Sequence, residues 1–208
     1  MRIVEPEVIF TPEMSGEEIL KKLERVARTC YKSEDKISET SAEGFIRGIV
    51  KSGHEAMIEH VSLTVRIICD RGISHEIVRH RLCSFAQAST RYCSYDKDKF
   101  GNEISVICPK DIRENEEMFE IWKEAMEASE KAYMQLLKTT TPQIARSVLP
   151  TALQTEIVVT ANLREWRHFL KLRTESGAHP QIREIAAKIL DIFKKNVPVI
   201  FDDIVADN

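Results

Sequence analysis

Residues 79–92 read Arg-His-Arg-Leu-Cys-Ser-Phe-Ala-Gln-Ala-Ser-Thr-Arg-Tyr. Arg79, His80 and Arg81 set three cationic or titratable side chains side by side. Ser84, Ser89 and Thr90 add hydroxyls, and Arg91 adds a further guanidinium. Unpaired charge is kept out of apolar cores, whereas the planar fork of Arg donors matches what phosphate accepts. A solvated turn is the ordinary home of such a run. Here Ile73, Ile77, Val78 and Leu82 recur at helical spacing around its start, which predicts a segment packed on a core. A cationic loop pinned to a core is a candidate anion site. Ser89 invites a nucleophile reading, but no His or Lys base stands beside it in sequence, so hydrogen bonding suits it better.

The elements that must carry these residues follow from periodicity. Residues 1–10 predict an edge strand, 16–30 and 41–51 amphipathic helices, and 61–69 a strand whose odd positions share an apolar face. A helix from about 73 should carry Arg79-His80-Arg81 at its end. A short strand is expected over 103–108. Residues 112–138 predict one long helix with Met118, Ile121, Trp122, Ala125, Ser129, Ala132, Tyr133 and Leu136 inward. Thr141-Pro142 starts a short helix, 152–160 reads as a strand, and Asn162 caps a helix to about 174. His179-Pro180 opens a last helix through 195. Arg164 and His168, four apart, share one helix face. Arg173 ends that helix, where a cation also complements the dipole. Few, separated strands among helices give an α+β class with an antiparallel sheet packed with several helices. No linker or repeat divides residues 1–208, so one domain is expected.

Composition narrows the function. The 208 residues carry a formal net charge of -3 with 30% charged residues, which does not suit a general nucleic-acid binder. Residues 111–130 are acidic, while 79–91 and 164–173 are basic. Local basic clusters on a mildly acidic chain fit a small anionic ligand. Five cysteines occur with no Cys-x-x-Cys and no apolar leader, which points to reduced thiols and a cytoplasmic protein. No apolar run reaches the ~20 residues of a membrane span. His54-Glu55 and His75-Glu76 begin like zinc-protease motifs but lack the second His, so no metal is expected. Neither a Rossmann nor a phosphate-loop glycine pattern is present.

Arg79-His80-Arg81, seven further residues, Ser89 and then Arg91-Tyr92 resemble the signature of the flavin-dependent (alternative) thymidylate synthases. Ser52-Gly53-His54-Glu55 and Glu59-His60 resemble that family's upstream segment. Ala145-Arg146-Ser147-Val148-Leu149-Pro150, the run from Asn162 to Phe169, and Leu172-Arg173 resemble its C-terminal blocks, in the same order. The resemblance spans most of residues 20–195. It implies a thymidylate synthase-complementing-type fold and reductive methylation of dUMP to dTMP. Methylenetetrahydrofolate would give the carbon and leave as tetrahydrofolate. FAD would carry the hydride and NADPH would reload it. A homotetramer with sites at subunit interfaces is implied, with no nucleic-acid or membrane partner.

By the same resemblance Glu76, Gln87, Ser89, Thr90, Arg91, Arg146 and Arg173 meet dUMP. Arg173 and Ser89 are the catalytic candidates, Arg173 at the uracil carbonyl edge. His54, Glu59, Arg79, His80, Arg81, Gln87, Asn162, Arg164 and His168 meet FAD. Ala86-Gln87 stands where many members have Asn-Glu, which alters the contacts expected there. The rival classes are a non-catalytic nucleotide- or RNA-binding module using the same Arg clusters, and a nucleotide hydrolase. The hydrolase lacks both a carboxylate cluster for metal and a nucleophile–base pair.

Overall fold

The computed structural model describes residues 1–207, the side chain of Lys99 excepted. The strands are β1 (Arg2–Ile3), β2 (Glu7–Ile9), β3 (Ser62–Asp70), β4 (Ser84–Gln87), β5 (Ser105–Val106) and β6 (Gln154–Asn162). The helices are α1 (Gly16–Tyr31), α2 (Ser41–Lys51), α3 (Arg71–Ile77), α4 (Lys110–Arg113), α5 (Glu116–Leu136), α6 (Pro142–Ala145), α7 (Leu163–Arg173), α8 (Pro180–Asn196) and α9 (Pro198–Phe201). The main sheet has four strands in the order β2-β3-β6-β4, and a small second sheet pairs β1 with β5 in parallel. Leu163 N donates to Val61 O at 3.0 Å, and Thr64 Oγ1 meets Thr160 Oγ1 at 2.9 Å. Both pairs have the same index sum, the mark of an antiparallel register between β3 and β6. This is the α+β architecture with an antiparallel sheet that the sequence predicts.

The chain divides into two compact units. The first comprises residues 1–7, 67–79 and 85–158; the second comprises 8–66, 80–84 and 159–208. The first has a core of Ile104, Val106, Tyr133, Ala145 and Leu153. In the second, Trp166 meets Phe169 and Phe193 edge-on at 5.6 and 5.2 Å between centroids, and Phe193 lies 5.0 Å from Phe201. Trp166 Nε1 donates to Leu63 O at 3.0 Å, so the indole is buried without an orphaned donor.

Local chemistry starts and stops the helices that matter. Ser15 and Glu18 form a capping box on α1, with Glu18 N donating to Ser15 Oγ at 3.2 Å and Ser15 N to Glu18 Oε2 at 2.7 Å. Gly16 follows because a Cβ there would stand 2.1 Å from Asn196 O at the end of α8. Asp70 Oδ1 accepts from Ile73 N at 2.9 Å to begin α3, and Asn162 Oδ1 accepts from Glu165 N at 2.8 Å to begin α7. Along β3 and the residue before it, Val61, Leu63, Val65, Ile67 and Cys69 are buried as their alternation requires.

Several boundaries differ from the sequence expectation, each for a local reason. Residues 1–10 form two strands in different sheets, interrupted at Pro6, which has no N–H to pair. The expected helix over 112–138 is two, because Asn115 leaves the helical region and its side chain accepts from Met118 N to start α5 afresh. Only Tyr133 of the α5 stripe is buried, while Met118 and Ile121 are 45% and 65% exposed. α3 ends at Ile77, so Arg79-His80-Arg81 lies beyond it, not on it. Of the apolar flanks, Ile73 and Ile77 are buried, but Leu82 is 78% exposed. The strand expected over 103–108 shrinks to Ser105–Val106, and β4 and α9 have no counterpart in the sequence reading. Thr141 precedes α6 without a side-chain capping bond. Among the described residues no helix is long and apolar enough to cross a membrane.

Candidate active site

The Arg-His-Arg run does not present three equivalent cations. In the second unit His80 is buried, 5% exposed, while Arg79 in the first unit and Arg81 in the second are exposed. The His80 ring lies edge-on to Phe169 at 4.7 Å between centroids. Its Nε2 accepts from Arg173 Nε at 3.1 Å, and its Nδ1 lies 3.6 Å from Glu165 Oε1. Burial, then the Arg173 charge, then His168, pull its pKa from the ordinary 6.5 to about 4. His80 is therefore a neutral imidazole turned inward. Of the cationic and titratable readings open for this position, the neutral, titratable one is what the burial favours. Glu165 is pushed up by burial, with His168 opposing. Cys83 Sγ lies 4.0 Å from Glu165 Oε1; burial and then that carboxylate raise the thiol to about 12, so it stays protonated.

The exposed face of α7 carries Arg164 and His168 one turn apart. Arg164 Nη1 donates to Glu59 Oε1 at 2.6 Å, and its Nε lies 3.9 Å from Glu55 Oε2. Two residues expected at the flavin, Glu59 and Arg164, thus meet each other. The His168 ring lies 5.8 Å from that of His80. Asn162, also expected at the flavin, has its side-chain oxygen occupied as the cap of α7. His54 follows Gly53, which turns the chain at φ +71, and its Nδ1 lies 3.0 Å from the Tyr31 hydroxyl.

Six of the seven residues expected at dUMP lie in the first unit, Arg173 being the exception. Gln87, on β4, donates from Nε2 to Ser74 Oγ at 2.8 Å and Thr155 Oγ1 at 3.2 Å. The turn after β4 wraps Ser89: its Oγ accepts from Arg91 N at 3.3 Å and its carbonyl from Cys93 N at 2.9 Å. Thr90 is buried, and its Oγ1 accepts from Arg146 Nη1 at 3.3 Å. Thr90 and Arg146, distant in sequence, are thereby brought together. Arg91 is exposed, its guanidinium 5.5 Å from the Tyr92 ring centre. Glu76 is half-buried on α3.

Sequence reasoning passed over Glu165, Tyr31 and Arg167. Arg167 is 2% exposed. Its Nε donates to Glu55 Oε1 at 2.9 Å, its Nη1 and Nη2 to Asp203 at 2.6 and 2.7 Å, and Nη1 also to the Ile200 carbonyl. The signal for Glu165 and Arg167 was their place either side of Trp166, one turn into a capped helix whose apolar residues must face inward.

Residues 15–199 match the family described as thymidylate synthase complementing protein. A protein of Mycolicibacterium vanbaalenii named flavin-dependent thymidylate synthase is 33% identical over 217 aligned residues, covering 95% of this chain and 84% of that one. One of the same name from Pyrococcus abyssi is 38% identical over 163 residues, covering 77% of this chain and 66% of its own. The crystal structure of a UMP/dUMP methylase, PolB, from Streptomyces cacaoi bound with 5-Br dUMP superposes with a TM-score of 0.81 at 24% identity over the whole of both chains. That likeness fixes the fold. The sequence matches fix the family: the chain belongs to the thymidylate synthase complementing proteins.

Proposed function

We propose that this chain is a flavin-dependent thymidylate synthase, converting dUMP to dTMP with methylenetetrahydrofolate as carbon donor and tetrahydrofolate as product. The observation that carries the reading is family membership across residues 15–199; Arg79, Ser89, Arg91, Arg146 and Arg173 are the residues the motif resemblance assigns to its site. Its relatives from M. vanbaalenii and P. abyssi bear that activity in their names.

Arg91 and Arg146, with the Thr90 hydroxyl that Arg146 engages, would hold the dUMP phosphate through charge-assisted donors. Ser89 and Glu76 would hydrogen-bond the nucleotide. Arg173 would face the uracil carbonyl edge, where a cation stabilises negative charge gathering on the ring before it takes up the one-carbon unit. Gln87 would contribute its carbonyl oxygen, its amide protons being directed at Ser74 and Thr155.

The residues expected at FAD fit an anionic, planar cofactor. Arg79 and Arg81 are exposed, and among the described residues neither side chain has an ion-pair partner. Two uncompensated guanidiniums on a chain of net charge -3 are well matched to a pyrophosphate. His54, Arg164 and His168 would border the ring system, Glu59 the ribose or adenine end, and Asn162 the same face of α7. His80 would support this loop from within. When bound and reduced, FAD would supply the hydride and be left oxidised, and NADPH would be the reductant that restores it. We read residues 1–208 as one functional domain in a cytoplasmic homotetramer whose sites lie at subunit interfaces.

The test is to incubate the purified chain with dUMP, methylenetetrahydrofolate, FAD and NADPH and resolve the nucleotides by chromatography. The expected result is dTMP formation that requires both FAD and the folate and that Arg173→Ala abolishes while the protein stays folded. Absence of dTMP, or Arg173→Ala turning over normally, contradicts the reading.

A further inference from the structure

Glu165 is a buried carboxylate, 6% exposed, with no Lys or Arg paired to it among the described residues. A charge so placed is costly unless something holds it. Facing it are the imidazole of His80, with Nδ1 3.6 Å from Glu165 Oε1, and the protonated Cys83 thiol, 4.0 Å from the same oxygen. The other imidazole nitrogen, Nε2, accepts from Arg173 Nε at 3.1 Å. The Arg Nε–H can only donate, so Nε2 must carry the lone pair. A neutral imidazole then has its one proton on Nδ1, the nitrogen turned to Glu165. The opposite tautomer would set N–H against N–H at Arg173 and a lone pair against a carboxylate.

Each link lies in the second unit, and the covalent frame explains why a third residue is needed. Glu165 sits in the first turn of α7 and Arg173 is its last residue. Eight positions at 1.5 Å rise separate them by about 12 Å along the axis, too far for direct contact. His80 enters from the chain that follows α3 and spans the gap, wedged against Phe169. His80, Glu165 and His168 also bring one possible metal-ligand atom each within 4.8 Å of one another. A guanidinium donor 3.1 Å from His80 Nε2 opposes a cation there, so the cluster is better read as holding a proton in a fixed place.

We propose that Glu165 is a positioning residue: acting through His80, it fixes the guanidinium of Arg173 in the orientation that serves the uracil ring. This rests on the thymidylate synthase reading given above. Partners of this kind act through the group they orient, and their removal commonly lowers activity 10–100-fold.

The experiment compares kcat and the KM for dUMP at saturating FAD in the wild type, Glu165→Ala, Glu165→Gln and His80→Phe, with melting temperatures alongside. Glu165→Ala should lower kcat on the order of 10–100-fold with KM changed less than about threefold. Glu165→Gln, whose side-chain carbonyl still presents a negative dipole to Nδ1–H, should recover to within about threefold of the wild type. If Glu165→Ala does not fold, His80→Phe takes its place, keeping the ring against Phe169 while removing the acceptor for Arg173. It should show the same kcat loss. A purely structural role for Glu165 would lower the melting temperature and leave kcat per folded molecule intact. Wild-type kcat in Glu165→Ala or His80→Phe, or a Gln variant as impaired as the Ala variant, overturns the proposal. A wild type that forms no dTMP overturns the thymidylate synthase reading instead.

Discussion

The buried imidazole of His80 makes stability depend on pH in a calculable way. Unfolded, its pKa is the ordinary 6.5; folded, burial and the neighbouring Arg173 hold it at about 4. The unfolded chain therefore binds a proton that the folded chain refuses. The stabilisation is whole above pH 6.5 and is lost as pH falls toward 4. Two protonation equilibria displaced by that interval give a loss of roughly 1 kcal/mol at pH 5.5 and about 2–3 kcal/mol at pH 4.5. Glu165, whose carboxyl is raised by burial, acts in the opposite sense. It is common to the wild type and to His80→Gln, which keeps an acceptor for Arg173 but cannot titrate. Urea unfolding of both proteins at pH 7.5, 5.5 and 4.5, at one protein concentration, isolates the imidazole. The wild type should lose about 2 kcal/mol more than His80→Gln between pH 7.5 and 4.5. Parallel pH dependences would refute the argument that His80 is buried neutral.

Arg167→Ala should cost about 1.5–3 kcal/mol in urea unfolding, because it removes the charge-assisted bonds to Glu55, to the half-exposed Asp203 and to the Ile200 carbonyl, while Glu55 keeps Arg164 at 3.9 Å; a loss under about 1 kcal/mol would mean the network is solvated. Gly16→Ala should lower the melting temperature, since its Cβ meets the Asn196 backbone oxygen at 2.1 Å, whereas Gly48→Ala, with nothing within 4 Å on α2, should raise stability by up to about 1 kcal/mol. Equal effects at the two glycines would contradict the close approach of α1 and α8. Ser89→Ala should keep partial dTMP formation and Cys83→Ser should remain active. Complete loss in Ser89→Ala with dUMP binding intact would instead make Ser89 a nucleophile.

Much of this was readable from the residues, and the limits were physical. The alternation of 61–69, the helical period of 16–30 and the cap at Asn162 write local structure directly, and the elements they mark agree closely. β4 was hidden because Ser84-Phe85-Ala86-Gln87 is short and only half-buried, so it has no strong apolar period. The stripe on α5 was read as inward because spacing reports amphipathicity and not what covers it. At the candidate site the residue types were legible, but their states were not. His80 stands between two arginines and reads as a cationic or titratable group, its charge state left open. It is neutral because Phe169, Glu165 and Arg173, all ninety or so positions away, close around it. Glu165 was passed over for the same reason, since its meaning lies in a long-range contact.

The visible absorption spectrum of the purified protein, before and after FAD and then dUMP are added, tests the central claim most directly. A flavin band near stoichiometric with the chain and perturbed by dUMP is the predicted result. A protein that retains no flavin even at high added FAD would contradict it, and would turn Arg79, Arg81 and Arg91 toward a different anion.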